Sequence, residues 1–479
     1  MPSKLDWSLF QQAIFKDVEN GIGNTIIEAK AGSSKTTSLL ESLKYIPRNK
    51  KTIVVAFNKS IKDELIERAP QYSNLEIMTL HSLGFRAIRN RFGKDVKFSN
   101  GKTFGIIKNI LQKEKTDPKE KDDYESIYEF ERAVGLCKNF IIDVPSKIDE
   151  LLDEFGIDTV EYDRKDFISK IIQILGECKK DTIHIDFNDM IWFPFVYNLP
   201  LMKYDRILTD ESQDFNMAQM SLIFRSMKED SRVFVFLDTF QAVYSWRGAN
   251  TNAAKTFKEK LNAKTLELPI SYRCANRIIY AAQKYVPGIK PAPNAKEGEI
   301  INIGEEDLLD YIRPGDFLLS RTNAPLFKWC LKMLRLKIPA NIRGKGLDKG
   351  LLFIIKQSKK KNIESFLDWL KKWEISECAR LKEKNRDSSL FLDKIACLRC
   401  LCEGVKTTAD LQDNIKLLFN EEDGKKVITC STIHGIKGAE ETNVFILEDT
   451  FRFGDSQEEQ NLKYVAITRA KEKLYWVKS

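Results

Sequence analysis

The chain predicts an α/β fold in which helices cover both faces of parallel sheets. Three observations carry this. Short runs rich in Val, Ile and Leu recur without strict alternation, as strands buried on both faces do. Amphipathic, helix-like stretches separate them. The segment 25–43 reads as strand, small-residue loop, Lys-Thr, helix. The first strand is the run Thr25-Ile26-Ile27-Glu28. Further strands are expected at Thr52–Phe57, Glu76–Thr79, Arg206–Thr209, Val233–Leu237, Thr265–Leu268, Phe317–Ser320, Val427–Cys430, Val444–Leu447 and Leu474–Val477. Two charged stretches, about 91–180 and about 352–424, break the alternation and read as helical insertions. No solenoid-period repeat and no low-complexity tail is present.

A length of 479 residues predicts several domains. With 43% hydrophobic and 30% charged residues, the composition is that of ordinary globular protein. The most apolar long stretch, Met190–Met202, contains Pro194, Asn198 and Pro200 and is too short to span a bilayer. The start Met1-Pro2-Ser3-Lys4 lacks an apolar leader, so a cytoplasmic location is expected, or a nuclear one in a host with a nucleus. The nine cysteines are expected as reduced thiols. Cys378, Cys397, Cys400 and Cys402 match a zinc or iron–sulfur set in number. Phe391, Leu392, Ile395, Leu398 and Cys402 nevertheless recur at helical spacing, which favours core packing. A net charge of +8 is compatible with a polyanionic partner. The run Lys356–Lys361 reads as a solvated loop.

Residues 29–37, Ala-Lys-Ala-Gly-Ser-Ser-Lys-Thr-Thr, have the layout of a phosphate-cradling loop. Backbone N–H groups of Ala31, Gly32, Ser33 and Ser34 and the following helix N-terminus would face an anion. Lys35 would reach the β and γ phosphates of ATP, and the Thr36 hydroxyl would hold Mg²⁺. The general pattern has glycine where this chain has Ala29 and Ser34. The competing reading is a helix start with a small N-cap residue. In Arg206–Asp214, Asp210 ends a strand and would hold Mg²⁺, while Glu211 would activate water. Further on, Phe236–Ala249 delivers Asp238 and Gln241 at a strand end, where both could sense a γ phosphate. Tyr244, Trp246 and Arg247 follow, aromatic faces suited to unpaired bases; core aromatics are the alternative.

These segments together resemble superfamily 1 helicases of the UvrD/Rep/PcrA type. The resemblance covers residues 8–470 in motif order. That family has alanine at the position of Ala29, which leaves Ser34 as the departure; Leu237 and Asn461 are smaller ones. The resemblance implies that Gln11 reads adenine, that Phe57, Asn58 and Lys59 contact single-stranded DNA, and that Thr79 and His81 do the same. Ile185–Met190 resembles the D-F-x-D-L segment. Tyr272 would stack on adenine and Arg273 touch the γ phosphate. Thr432 and His434 would touch DNA, Glu440 the ribose, and Arg469 would be the arginine finger. Thr37 completes the nucleotide loop.

The family's fold is two RecA-like parallel-sheet core domains (a P-loop NTPase) with two helical accessory insertions. Here the implied domains are 1–90 with 181–264, insertion 91–180, 265–351 with 425–479, and a short second insertion 352–424. The implied activity is ATP- and Mg²⁺-dependent 3′→5′ translocation on single-stranded DNA with duplex unwinding. Implied partners are single-stranded and partially duplex DNA, and replication, repair or nuclease proteins. Two other readings stand beside it: a translocase that displaces proteins or serves a nuclease without unwinding, and a nucleotide-gated DNA-binding module with impaired ATPase. The compact length is compatible with a phage or mobile-element origin.

Overall fold

The computed structural model describes residues 7–113, 124–157, 159, 162–242, 253–344, 347–383, 388–419, 426–451 and 456–478. The chain divides into two compact units: residues 1–29 with 34–269, and residues 30–33 with 270–479.

In the first unit the strands are β1 Thr25–Ala29, β2 Thr52–Ala56, β3 Leu75–Thr79, β4 Lys97–Phe98, β5 His184–Ile185, β6 Tyr204–Thr209, β7 Met227–Leu237 and β8 Lys264–Leu268. Six form one sheet in the order β3-β2-β6-β7-β1-β8, with every pairing parallel. β4 and β5 make a separate parallel pair. The missing alternation now has its cause. Ile27, Val54, Leu208, Phe234 and Phe236 face a core shared with Ile14, Phe15 and Leu39. Their chain neighbours Ile26, Ile53, Val55, Ile207, Val233 and Val235 enter a second core on the opposite face. The helices Lys102–Lys113, Tyr124–Phe140, Pro145–Glu154 and Arg164–Lys180 contribute Ile107, Phe130, Ile148 and Phe167 to that second core.

The second unit contains β9 Ile270–Ser271, β10 Lys290–Pro291, β11 Glu299–Gly304, β12 Phe317–Ser320, β13 Ala340–Arg343, β14 Ile428–Thr432, β15 Glu441–Leu447 and β16 Ala470–Lys478. Its six-stranded sheet is also parallel, in the order β11-β16-β15-β12-β14-β13. β11 and β13 were not expected from the sequence. They are the two edges of this sheet and only partly buried, so they lack a continuous apolar run. The helices Leu347–Ser358, Ile363–Glu383, Ser389–Leu401 and Thr408–Leu418 share one apolar core with the sheet through Leu351, Phe366, Leu398 and Leu411. Cys397 and Cys402 are buried in that core, and Cys378 and Cys400 are half-buried. Among the described residues no group of three or more His, Cys, Asp or Glu is placed to hold a metal ion. Among them, too, no helix is long and apolar enough to cross a membrane.

Candidate nucleotide site and nucleic-acid surface

The loop after β1 leads into the helix Lys35–Ser42. Gly32 has φ 72° and Ser34 has φ 60°, both left-handed. Ser34 stands at the N-cap but its side chain caps nothing. Its carbonyl instead accepts from the Ser38 N–H at 2.8 Å and the Ser38 hydroxyl at 3.0 Å. The simple N-cap reading therefore fails, because N-caps use extended backbone with a side-chain acceptor. Glu211 is left-handed as well, at φ 53°. Left-handed backbone costs an L-residue roughly 1–2 kcal/mol.

The sheet order places the ends of β6, β7 and β1 side by side, and the site is assembled there. Lys35 Nζ lies 2.6 Å from Glu211 Oε1 and 3.5 Å from Asp210 Oδ1. The Thr36 hydroxyl donates to Asp210 Oδ2 at 3.0 Å. Gln213 Nε2 donates to Glu211 Oε2 at 2.5 Å, and Gln213 Oε1 accepts from the Asp238 N–H at 3.1 Å. Gln241 Nε2 donates to Asp238 Oδ2 at 2.6 Å. A continuous hydrogen-bonded chain thus runs from Lys35 to Gln241. Burial alone would lower the Lys35 pKa, but the carboxylates of Glu211, Asp210 and Asp238 outweigh it and raise the value. Burial raises the Asp210 carboxyl above its usual range even beside Lys35. A carboxylate paired with a threonine hydroxyl is the hard oxygen set that Mg²⁺ takes, so these two residues fit that ion.

Gln11 is 3% exposed. Its Oε1 accepts from Ser8, and its Nε2 donates to the Ser38 hydroxyl at 3.1 Å. Contact with adenine requires those bonds to be exchanged. The Thr37 hydroxyl accepts from Arg68 at 3.0 Å.

In the second unit Arg273 ion-pairs with Glu440, and Lys471 Nζ lies 3.3 Å from the other Glu440 oxygen. Arg469 is 1% exposed and donates to the carbonyls of Val465 at 3.0 Å and Ala439 at 3.2 Å. Burial and the neighbouring Arg273 guanidinium lower its pKa to about 10. Tyr272 is half-exposed. Glu440 directly precedes β15 and Arg469 directly precedes β16, so both stand at the N-terminal edge of the parallel sheet. Thr432 closes β14 at the C-terminal edge, with His434 just beyond it. One eight-residue connection, 433–440, thus runs from one edge of this sheet to the other.

The remaining nucleic-acid candidates of the first unit follow β2 and β3, on the far side of β6 from the phosphate loop. Phe57 stacks on Phe215 at 6.2 Å. Asn58 caps the helix Lys59–Arg68 by accepting from the Ile61 N–H at 2.9 Å, and Lys59 is exposed. Thr79 caps the helix Leu80–Phe92. His81 meets Phe187 edge-on at 5.7 Å, and Phe187 meets Phe98 edge-on at 4.9 Å. Burial pushes the His81 imidazole down to about 4. Phe187 and Phe98 are 52% and 48% exposed. Sequence reasoning did not assign them a role. The available signal was Phe187 itself, an aromatic between two acids at a helix start. Tyr244, Trp246 and Arg247 lie outside the described residues.

Fold and site together define an α/β protein with two parallel-sheet units and a Lys-Thr/Asp-Glu cluster at strand ends of the first. Residues 10–262 match the UvrD/REP helicase N-terminal domain, and residues 354–479 match the UvrD-like helicase C-terminal domain. The chain belongs to the UvrD/REP helicase family. It is 27% identical over 289 residues to the ATP-dependent DNA helicase PcrA of Bacillus subtilis, covering 55% of this chain and 37% of that one. It is 25% identical over 497 residues to the F-box DNA helicase protein 1 of Schizosaccharomyces pombe, covering 94% and 55%. The ATP-dependent DNA helicase Rep of Buchnera aphidicola subsp. Schizaphis graminum is 27% identical over 286 residues, covering 55% and 42%. The chain thus spans between 37% and 55% of the length of these relatives.

Proposed function

We propose that this chain is an ATP-hydrolysing DNA helicase that moves 3′→5′ on single-stranded DNA and unwinds duplex. The observation that carries the reading is the meeting of Lys35 and Thr36, after β1, with Glu211 and Asp210, after β6, across the end of the intervening strand β7. Phosphoryl transfer needs both halves, a cation for the phosphates and a carboxylate for the water. In this reading Thr36 and Asp210 hold Mg²⁺, which supplies charge neutralisation at the phosphates. Lys35 exchanges its carboxylate partner for phosphate oxygen. Glu211, so released, takes the proton of the attacking water. Gln213 and Asp238 orient Glu211 and Gln241, and Arg273 and Arg469 are assigned to the transferred phosphate. The names of the relatives, all three DNA helicases and two of them ATP-dependent, support the substrate class. The 3′→5′ direction rests on family resemblance.

Phe57, His81, Phe187, Thr432 and His434 are proposed DNA contacts, together with Asn58, Lys59, Thr79, Tyr244, Trp246 and Arg247. The domain boundaries given above are proposed likewise. The deciding experiment measures ATPase activity with no nucleic acid, single-stranded DNA, duplex DNA and RNA, followed by strand displacement on 3′- and 5′-tailed duplexes. Stimulation by single-stranded DNA and opening of 3′-tailed substrates are expected. Opening of 5′-tailed substrates alone would overturn the direction, and ATPase without displacement would reduce the protein to a translocase.

A further inference from the structure

The first unit buries four charged side chains in one cluster. The side chains of Lys102 and Lys138 are 1% and 0% exposed. Lys102 Nζ lies 2.7 Å from Asp189 Oδ2 and donates to the carbonyls of Cys178 at 2.9 Å and Asp181 at 2.8 Å. Lys138 Nζ lies 2.8 Å from Asp189 Oδ1, 3.0 Å from Asp186 Oδ2 and 2.9 Å from the Thr103 hydroxyl. The two aspartates form the reciprocal cap of the helix Phe187–Val196: Asp186 Oδ1 accepts the Asp189 N–H at 2.7 Å, and Asp189 accepts the Asp186 N–H at 3.3 Å.

A buried ion cluster is a costly way to gain stability, because well-packed apolar side chains of equal volume often serve as well or better. The cluster holds the cap of the helix Phe187–Val196, and the residue that its two aspartates flank in sequence is Phe187. That ring stands between the two aspartates in sequence, is half-exposed, and meets His81 edge-on. The lysines come from two other helices, Lys102–Lys113 and Tyr124–Phe140, both in the stretch read from the sequence as an insertion.

We propose that Lys102 and Lys138 are positioning residues: they clamp Asp186 and Asp189 so that Phe187, braced by His81, presents its face to an unpaired nucleobase. The helices Lys102–Lys113 and Tyr124–Phe140 thereby set the grip on the strand through these two lysines. This rests on the DNA-binding reading above.

The test uses the full chain and a sixteen-nucleotide thymidine oligomer. Lys138→Met combined with Asp189→Asn removes one charge of each sign and keeps an acceptor for the helix cap. The variant is expected to unfold cooperatively and to keep its DNA-free ATPase rate. Its dissociation constant for the oligomer should rise about tenfold, the equivalent of one lost stacking contact, while the rate at saturating oligomer is unchanged. Phe187→Ala should weaken binding by a similar factor, and the triple variant no further. A cooperatively folded variant that binds like the wild type overturns the proposal, as do losses that multiply in the triple variant. An unaffected Phe187→Ala protein overturns it too. If the double variant does not fold, Thr103→Val, which leaves the charges intact, carries the same expectation at about threefold, and wild-type affinity there also overturns the proposal. A wild-type chain that binds no oligomer refutes the DNA reading instead.

Discussion

Lys35 Nζ and Glu211 Oε1 lie 2.6 Å apart, although 175 residues separate them in the chain. The phosphate-binding cation and the water-activating carboxylate of the proposed reaction are each other's partners. Lys35→Ala should abolish ATP turnover, and Glu211→Gln should lower it by about 10²–10⁴-fold while nucleotide still binds. Phosphate release and binding of a fluorescent ATP analogue report the two effects. Undiminished DNA-stimulated hydrolysis in either variant would remove these residues from the mechanism.

Ser34 carries a β-carbon at φ 60°, a conformation glycine adopts without penalty. Ser34→Gly relieves roughly 1–2 kcal/mol of strain and adds about 0.5–1 kcal/mol of unfolded-state entropy. A net gain of about 0.5–1 kcal/mol is expected in denaturant unfolding, together with a higher ATPase rate. An unchanged rate with the gain in stability would mean that the loop's strain is decoupled from turnover.

His81 is pushed down to about 4 by burial, from an ordinary 6.5. The folded value lies below the unfolded one, so the unfolded chain takes up the proton first. This group's stabilisation is complete above about pH 6.5 and is lost as pH falls toward 4. The chain has three histidines, so ring resonances are readily assigned by substitution. The His81 resonances should not titrate between about pH 8 and 5. An inflection near 6.5 would show that the ring is solvated. His81→Gln should flatten the acid-side fall of the melting temperature.

A β-carbon at Gly84 would lie 1.9 Å from the Met190 carbonyl oxygen. The helices bearing His81 and Phe187 therefore approach through this glycine. Gly84→Ala must push them apart, at a cost of about 1–3 kcal/mol. It should also weaken binding of single-stranded DNA, because it shifts the two rings relative to each other. Thermal unfolding and oligonucleotide binding measure the two effects, and wild-type values in both would contradict the close approach.

Much of the fold was legible because its central strands are covered on both faces, which leaves an unbroken apolar run such as Thr52–Ala56. The edge strands β11 and β13 were not legible, since solvent on one side removes that signal. Lys35, Thr36, Asp210 and Glu211 could be found from the chain because each stands where a phosphate loop or a buried strand ends. The bridge made by Gln213 could not, since it depends on which strand lies beside which. The same holds for the left-handed turns at Ser34 and Glu211, which only the assembled loops impose.

By itself the sequence pointed to the proposed class of chemistry, through side chains whose spacing is local: a lysine and a threonine after one strand, two carboxylates after another. The tertiary structure alone decided which partners those groups take. It set Lys35 against Glu211, buried Arg469 among carbonyls, and closed Lys102 and Lys138 around the aspartates flanking Phe187. Local spacing follows from a few neighbouring residues, whereas these pairings, the Arg469–Val465 bond apart, join positions 30 to 176 residues apart, which only the packing of sheets and helices brings within hydrogen-bonding reach.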